Sequence, residues 1–179
     1  MPCRQPSRRP IPKIWLITDP RLGDGLLAAV RKLPTGSGVI FRHYGLEIAE
    51  RHRLFMQVRR VCRQRGHALL LAGDSKWLAD GVHGAKPDGR AVLRSAPVHN
   101  PKEIIKAKRN KANLVFLSTL FATRSHPGAR PLGMVRFQKL ARLAAPAKVI
   151  ALGGMTRNRA QMLKANVAYG WAGIDCFGV

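Results

Sequence analysis

Short aliphatic runs alternate with amphipathic, basic segments from one end of this chain to the other, and that alternation limits the fold more than any single motif. The runs are KIWLITD (13–19), GVIFRHYG (38–45), HALLLAG (67–73), DGVHG (80–84), LRSAPV (93–98), ANLVFLSTLF (112–121), AKVIALGG (147–154) and YGWAGIDCF (169–177). They are apolar almost without a break and lack the alternation of a sheet with one wet face. Each therefore predicts a strand covered on both sides, as in a parallel sheet. Between them GDGLLAAVRKL, LEIAERHRLFMQVRRVCRQRG, NPKEIIKAKRNK, GMVRFQKLARLA and TRNRAQMLKAN read as helices. Asn100 ahead of Pro101, with Glu103 three positions after the asparagine, predicts an N-cap followed by proline at the first helical position. Thr156 opens the last helix in the same manner, and Gly66 ends the second where a left-handed residue is wanted.

Such repetition leaves two architectures, an open doubly wound sheet or a closed eight-stranded barrel. No G-x-G-x-x-G follows the first run, which disfavours the dinucleotide-binding form of the open sheet. Eight runs favour the barrel, so the expected fold is α/β, a TIM (β/α)8 barrel in trimmed form. Only DSKWLA separates the third and fourth runs and only AKPDGRAV the fourth and fifth. A parallel crossover takes roughly a dozen residues, so the helices after strands 3 and 4 are expected to be short or missing. No C-terminal helix is expected after the eighth strand.

A chain of 179 residues is expected to form one domain, 13–179, behind a flexible basic tail at 1–12. Lys and Arg number 32 against 9 Asp and Glu, a formal net charge of +23, and the resulting field attracts phosphate-bearing partners. Charge alone does not separate nucleotides, small phosphate esters and nucleic acid. It is spread through helical segments, and with aromatics at only 6% there is little platform for stacking single strands. Nucleic acid is thus expected only through non-specific charge. Cys3, Cys62 and Cys176 form neither a disulfide framework nor a zinc spacing, so free, mostly buried thiols and a cytoplasmic location are expected. IWLIT is too short for a signal-peptide core, and no run approaches the roughly 18 apolar residues of a membrane span.

Parallel α/β folds gather function at the carboxyl ends of their strands, so polar residues that end apolar runs are the candidates. Asp74 and Asp88 both follow strand ends, and two carboxylates with open water positions suit Mg²⁺, which takes a few protein oxygens together with substrate phosphate oxygens. Asp88, in KPDGR, also reads as turn chemistry. His83 reads either as a hydrogen-bonded buried histidine or as a ligand-binding group. Gly153 and Gly154, in ALGGM, end a strand and lead into a capped helix, where backbone N–H groups can hold a phosphate. The loop ATRSHPGARPLG carries Arg124, His126 and Arg130, which can clamp a pyrophosphate or belong to a plain surface loop.

WLITD, an arginine at the end of strand two, an aspartate after strand three, DGVHGAKPD, RSAPVHNPKE, FLSTLFATRSH and ALGGMT, in that order, resemble the thiamine phosphate synthase and thiazole tautomerase family of (β/α)8 barrels. The likeness runs from about Trp15 to Phe177. It implies a transferase that joins hydroxymethylpyrimidine diphosphate to thiazole phosphate with Mg²⁺, giving thiamine phosphate and pyrophosphate. By resemblance Arg42 contacts the diphosphate, Asp74 and Asp88 hold the metal, Ser95 meets the pyrophosphate, Thr123 belongs to the family's threonine loop, and Gly153 and Gly154 hold the thiazole phosphate. The chain also departs from the pattern. Ile40 and Tyr44 flank Arg42 where the family has Gln and Lys, Gly73 stands for Asn, His126 for the loop lysine and Asp175 for the serine of the last phosphate loop. His126 or Arg124 would then supply the charge of the missing lysines. Thr119 occupies the place of the tautomerase histidine, so that branch is matched no better. The remaining alternative is a paralogue that binds a phosphate ligand without synthase chemistry.

Overall fold

Eight short strands, β1 (Ile14–Ile17), β2 (Gly38–Phe41), β3 (Ala68–Ala72), β4 (Gly81–His83), β5 (Leu93–Val98), β6 (Leu114–Leu117), β7 (Lys148–Ala151) and β8 (Gly170–Gly173), pair in parallel and in chain order. The ring closes between β8 and β1, where Trp15 faces Ala172 in register. This computed structural model describes residues 10–84, 93–123, 128, 130–163, 167–174 and 177. Each strand lies inside one of the runs read from sequence, and the closed barrel is the expected one.

The helices are α1 (Leu26–Lys32), α2 (Ile48–Arg65), α3 (Pro101–Arg109), α4 (Gly133–Leu143) and α5 (Arg157–Gln161). Asn100 accepts from the Glu103 N–H at 3.0 Å and Thr156 from the Arg159 N–H at 3.2 Å, so both caps form. Gly66 closes α2 at φ 66°. A 3₁₀ stretch at Pro20–Gly25, capped by Asp19, precedes α1 and had no signal in the runs. Residues 73–80 connect β3 to β4 without a helix, as expected. The segment after β4, residues 85–92, lies outside the described residues. Beyond β8 the described residues form no α-helix.

Period two along each strand divides the core into layers. Trp15, Ile17, Ile40, Leu70, Leu114, Phe116, Ile150 and Ala172 point inward and fill the barrel. Leu16, Val39, Phe41, Leu69 and Leu71 point outward against α1 and α2, and Val115, Leu117, Val149 and Ala151 against α3, α4 and the residues beyond them. The interior has a large keystone. Trp15 is fully buried, donates its indole N–H to Pro12 O at 2.8 Å and meets Phe116 edge to face at 5.4 Å. Gly38, its register neighbour, makes room, since a Cβ there would land on the indole. Phe116 in turn meets the His83 ring edge-on at 5.3 Å. A column Trp15–Phe116–His83 thus runs up the barrel and forms the floor of its mouth.

Ile11 and Pro12, assigned to the tail from sequence, are packed into the domain. Tyr169 Oη donates to Ile11 O at 2.6 Å, Pro12 is buried, and Ile11 lies against the barrel interior. Residues 1–9 lie outside the described set. Among the described residues no helix is long and apolar enough to cross a membrane.

Candidate active site

The carboxyl ends of the strands surround a cavity of about 470 Å³. Arg42 and Tyr44 from the end of β2, Asp74 after β3, His83 at the end of β4, His99 after β5 and Ser118 after β6 line it, with Ile17, Phe116 and Leu152 among its apolar surfaces. A larger groove of about 680 Å³ lies at the other end of the strands, between α1 and α5, walled by Lys13, Lys32, Arg157 and Trp171. The mouth cavity is where four residues picked from sequence converge.

Arg42 is aimed by its own backbone. Its N–H donates to Thr18 Oγ1 at 3.0 Å, and the same hydroxyl lies 3.0 Å from His43 Nδ1, which ties the start of the β2 loop to the end of β1. Its guanidinium makes no hydrogen bond to a described residue, and its charge reaches both His43 and His83. Asp74 is exposed and likewise holds no described partner. Tyr44 and Gly73, two departures from the family pattern, belong together. Gly73 sits at φ 90°, and a Cβ there would lie 3.2 Å from the Tyr44 ring, so the ring covers a position where a larger residue would be both strained and crowded.

His83 and Ser95 are paired across β4 and β5. His83 Nδ1 lies 2.8 Å from Ser95 Oγ, and Ser95 donates to Val82 O at 3.3 Å. The Ser95 hydroxyl thus sits between the His83 ring and the Val82 carbonyl and holds the imidazole in place at the cavity wall. Burial first, and then the charge of Arg42, pulls the His83 pKa down to about 4, so the ring is neutral at physiological pH. Ser95 is not the residue that ends its strand. It sits inside β5, buried, with its hydroxyl against the His83 ring.

Thr123, Arg130, Gly153 and Gly154 do not line the cavity. The glycines have a structural cause. The loop after β6 is zipped onto the loop after β7 by Leu120 N to Leu152 O at 2.9 Å and Phe121 N to Gly153 O at 3.1 Å. A Cβ on Gly153 would meet Thr119, and one on Gly154 would meet Ala122 O, and both residues have positive φ. Their N–H groups donate to no described residue. Arg124, His126, Asp88 and Asp175 lie outside the described residues, so their expected roles stand as proposals.

Three residues around the site escaped the sequence reading. His99 was passed over because the only residue of this stretch given a role was Ser95, whereas His99 is the polar residue that follows the strand. Ser118 was passed over because the apolar run was read through to Phe121, while pairing stops at Leu117. Arg51, on the first turn of a helix with an exposed basic face, gave no sign of being buried. Asp80, one of the two aspartates of LADGVHGAKPD, is structural: its carboxylate accepts from the Leu69 N–H at 2.8 Å and braces β3. Cys62 is a buried thiol, as expected, pushed up to about 12 by burial, with the nearby Asp80 charge adding to it. Cys3 and Cys176 lie outside the described residues.

Neutral buried histidines make stability depend on pH. Burial also lowers His43, with Asp19 opposing and Arg51 and Arg42 adding, and lowers His67, against its bond to Val30 O. An unfolded chain takes up these protons near pH 6.5, whereas folded His83 resists until about pH 4. The unfolded state therefore binds more protons in that window, and stability falls as pH falls through it. His83 alone contributes about 3 kcal/mol to that loss. Urea melts between pH 7 and pH 4 should show the decline, and His83→Gln should make it shallower. An unchanged slope in that variant would place its origin elsewhere.

Comparison with known proteins agrees with this architecture. The sequence profile of the thiamine monophosphate synthase family matches residues 14–177, nearly the whole chain. The chain belongs to that family. A protein of Aquifex aeolicus (strain VF5) that carries the provisional name thiamine-phosphate synthase 2 is 30% identical over 185 residues, covering 93% of this chain and 98% of that protein. Among solved structures, thiamine phosphate pyrophosphorylase from Pyrococcus furiosus superposes with a TM-score of 0.75 at 21% identity, over 90% of this chain and 85% of that one. The FabK (M276A) mutant from Thermotoga maritima superposes at 0.67 and 16% identity, over 93% and 61% of the two chains. At these identities the structural likenesses speak to the barrel, and the family assignment rests on the sequence.

Proposed function

We propose that this member of the thiamine monophosphate synthase family is an active transferase joining hydroxymethylpyrimidine diphosphate to thiazole phosphate. The observation that carries the reading is the convergence of a guanidinium (Arg42) and a carboxylate (Asp74), each without a partner among the described residues, and a neutral imidazole (His83) on one cavity at the carboxyl end of the barrel. The bond from the pyrimidine methylene carbon to the diphosphate oxygen breaks, the thiazole nitrogen bonds to that carbon, and pyrophosphate leaves with the electron pair. The chain's task is to hold the departing charge and to place the two reactants in line.

Arg42 offers a planar fork of donors to the diphosphate. His83 meets the pyrimidine edge with its neutral ring, which the contact to Ser95 holds in place. Phe116 and Ile17 give the ring an apolar surface. Arg124, His126, Arg130 and Thr123 are assigned to the departing pyrophosphate, and Gly153 and Gly154, with Asp175 nearby in sequence, to the thiazole phosphate. Among the described residues no cluster of three or more His, Cys, Asp or Glu side chains is poised to hold a metal. Mg²⁺ is nevertheless satisfied by one or two carboxylates with water and substrate oxygens. Asp74 fits an ion delivered with the diphosphate, Asp88 is assigned as its second carboxylate, and such an ion would neutralise charge on the leaving group.

One observation favours a second reading, a phosphate-binding paralogue without turnover: Thr123, Arg130 and the two glycines stand off the cavity wall. The two readings part in one assay. Mixing the protein with both precursors and Mg²⁺ should yield thiamine phosphate and pyrophosphate in equal amounts, neither forming when one precursor is omitted. Asp74→Asn should lower the rate at least ~100-fold. Binding of Mg²⁺–pyrophosphate with no product from the wild type would select the paralogue.

A further inference from the structure

Arg51 is only 6% exposed, on the first turns of α2, yet no carboxylate pairs with it among the described residues. Its guanidinium is satisfied by neutral acceptors from two different loops. Nε donates to Arg42 O at 2.9 Å, Nη2 to Ala72 O at 2.7 Å and Nη1 to Ser75 Oγ at 3.0 Å. Ala72 and Ser75 bracket Asp74, so three donors of one rigid fork grip Arg42 on one side and both flanks of Asp74 on the other. Phe41, Tyr44 and Trp77 surround the same group, with ring centroids 5.6, 5.5 and 5.0 Å from its central carbon. Burying a cation without a counter-ion is costly, and here it is offset by a hydrogen bond from each of the three nitrogens and by aromatic faces.

We propose that Arg51 is the positioning residue of the mouth, fixing the separation and orientation of Arg42 and Asp74 by tying the β2 loop to the β3 loop. This role rests on the reading of the mouth as a diphosphate site. Lysine cannot replace it, because one ammonium keeps the charge and part of the stem packing but cannot span acceptors on both loops in a plane.

Two readouts test it on the full chain, Arg51→Lys and Arg51→Met each being compared with wild type. Amide hydrogen exchange should accelerate at least ~10-fold at residues 42–45 and 73–77 in both variants, with the β-strand amides unchanged. Binding of Mg²⁺–pyrophosphate should weaken ~10-fold in Arg51→Lys, and that loss should shrink in an Arg42→Ala background, where only the part that acts through Asp74 remains. Exchange that is unchanged in these loops, or that rises uniformly along the chain, would overturn the proposal, as would a binding loss of the same size in the Arg42→Ala background. If the wild type binds no pyrophosphate while the loop exchange behaves as expected, the diphosphate reading fails and the tie between the loops stands.

Discussion

Changing Arg42 to alanine should lower the turnover of the two precursors by roughly 10²- to 10³-fold, the loss typical of removing a donor aimed at developing charge. Arg42 is suited to that task because its guanidinium is committed to no other described residue, while Thr18 and Arg51 hold its backbone from two sides. The fold should survive the change, since the side chain makes no described hydrogen bond and is not part of the core. Arg42→Lys should recover part of the loss: it keeps the charge and forfeits the bidentate geometry. The measurement is kcat/KM with each precursor varied in turn. A variant that keeps near wild-type kcat/KM would move the diphosphate away from β2.

The second large effect is on stability. Gly38→Ala should destabilise the chain by about 3 kcal/mol or more, because the added methyl overlaps the fully buried Trp15 ring and the indole has nowhere to go. For a chain of this size that corresponds to a drop in Tm of roughly 6–12 °C. The cause is a single contact, so it can be tested by coupling. Trp15→Phe creates room at the same spot, and the double variant should be less destabilised than the sum of the two single ones. Additive losses would mean that Gly38 is required for another reason. The effect should also reach the mouth, since Trp15 supports Phe116 and Phe116 supports His83.

The barrel was legible because its strands are covered on both faces, and a continuous apolar run such as HALLLAG or AKVIALGG leaves little else for the chain to do. Cap positions were equally plain, since Asn100 and Thr156 act on residues three positions away. Strand ends were harder. An apolar run shows burial, but pairing stops where the neighbouring strand stops, so ANLVFLSTLF hid the end of β6 at Leu117 and moved attention from Ser118 to Thr123. Within LRSAPV the strand end was plain, but Ser95 drew the attention that belonged to His99 beyond it, while its own side chain has a partner in His83. Arg51 was invisible for a deeper reason. Its position on α2 looks like one more arginine of a basic face, and only the arrival of Arg42 O, Ala72 O and Ser75 from other elements makes it a buried cation. Glycine motifs were ambiguous in another way: the pair at 153 and 154 signals close approach, and the backbone that approaches is that of the β6 loop.

The most direct measurement is a crystal structure of the protein soaked with Mg²⁺ and pyrophosphate. The account predicts pyrophosphate oxygens within hydrogen-bonding distance of the Arg42 guanidinium and a metal ion bonded to the Asp74 carboxylate, above the Phe116–His83 floor. Pyrophosphate seated in the groove of Lys13, Lys32 and Arg157 at the opposite end of the strands, with the mouth empty, would contradict it.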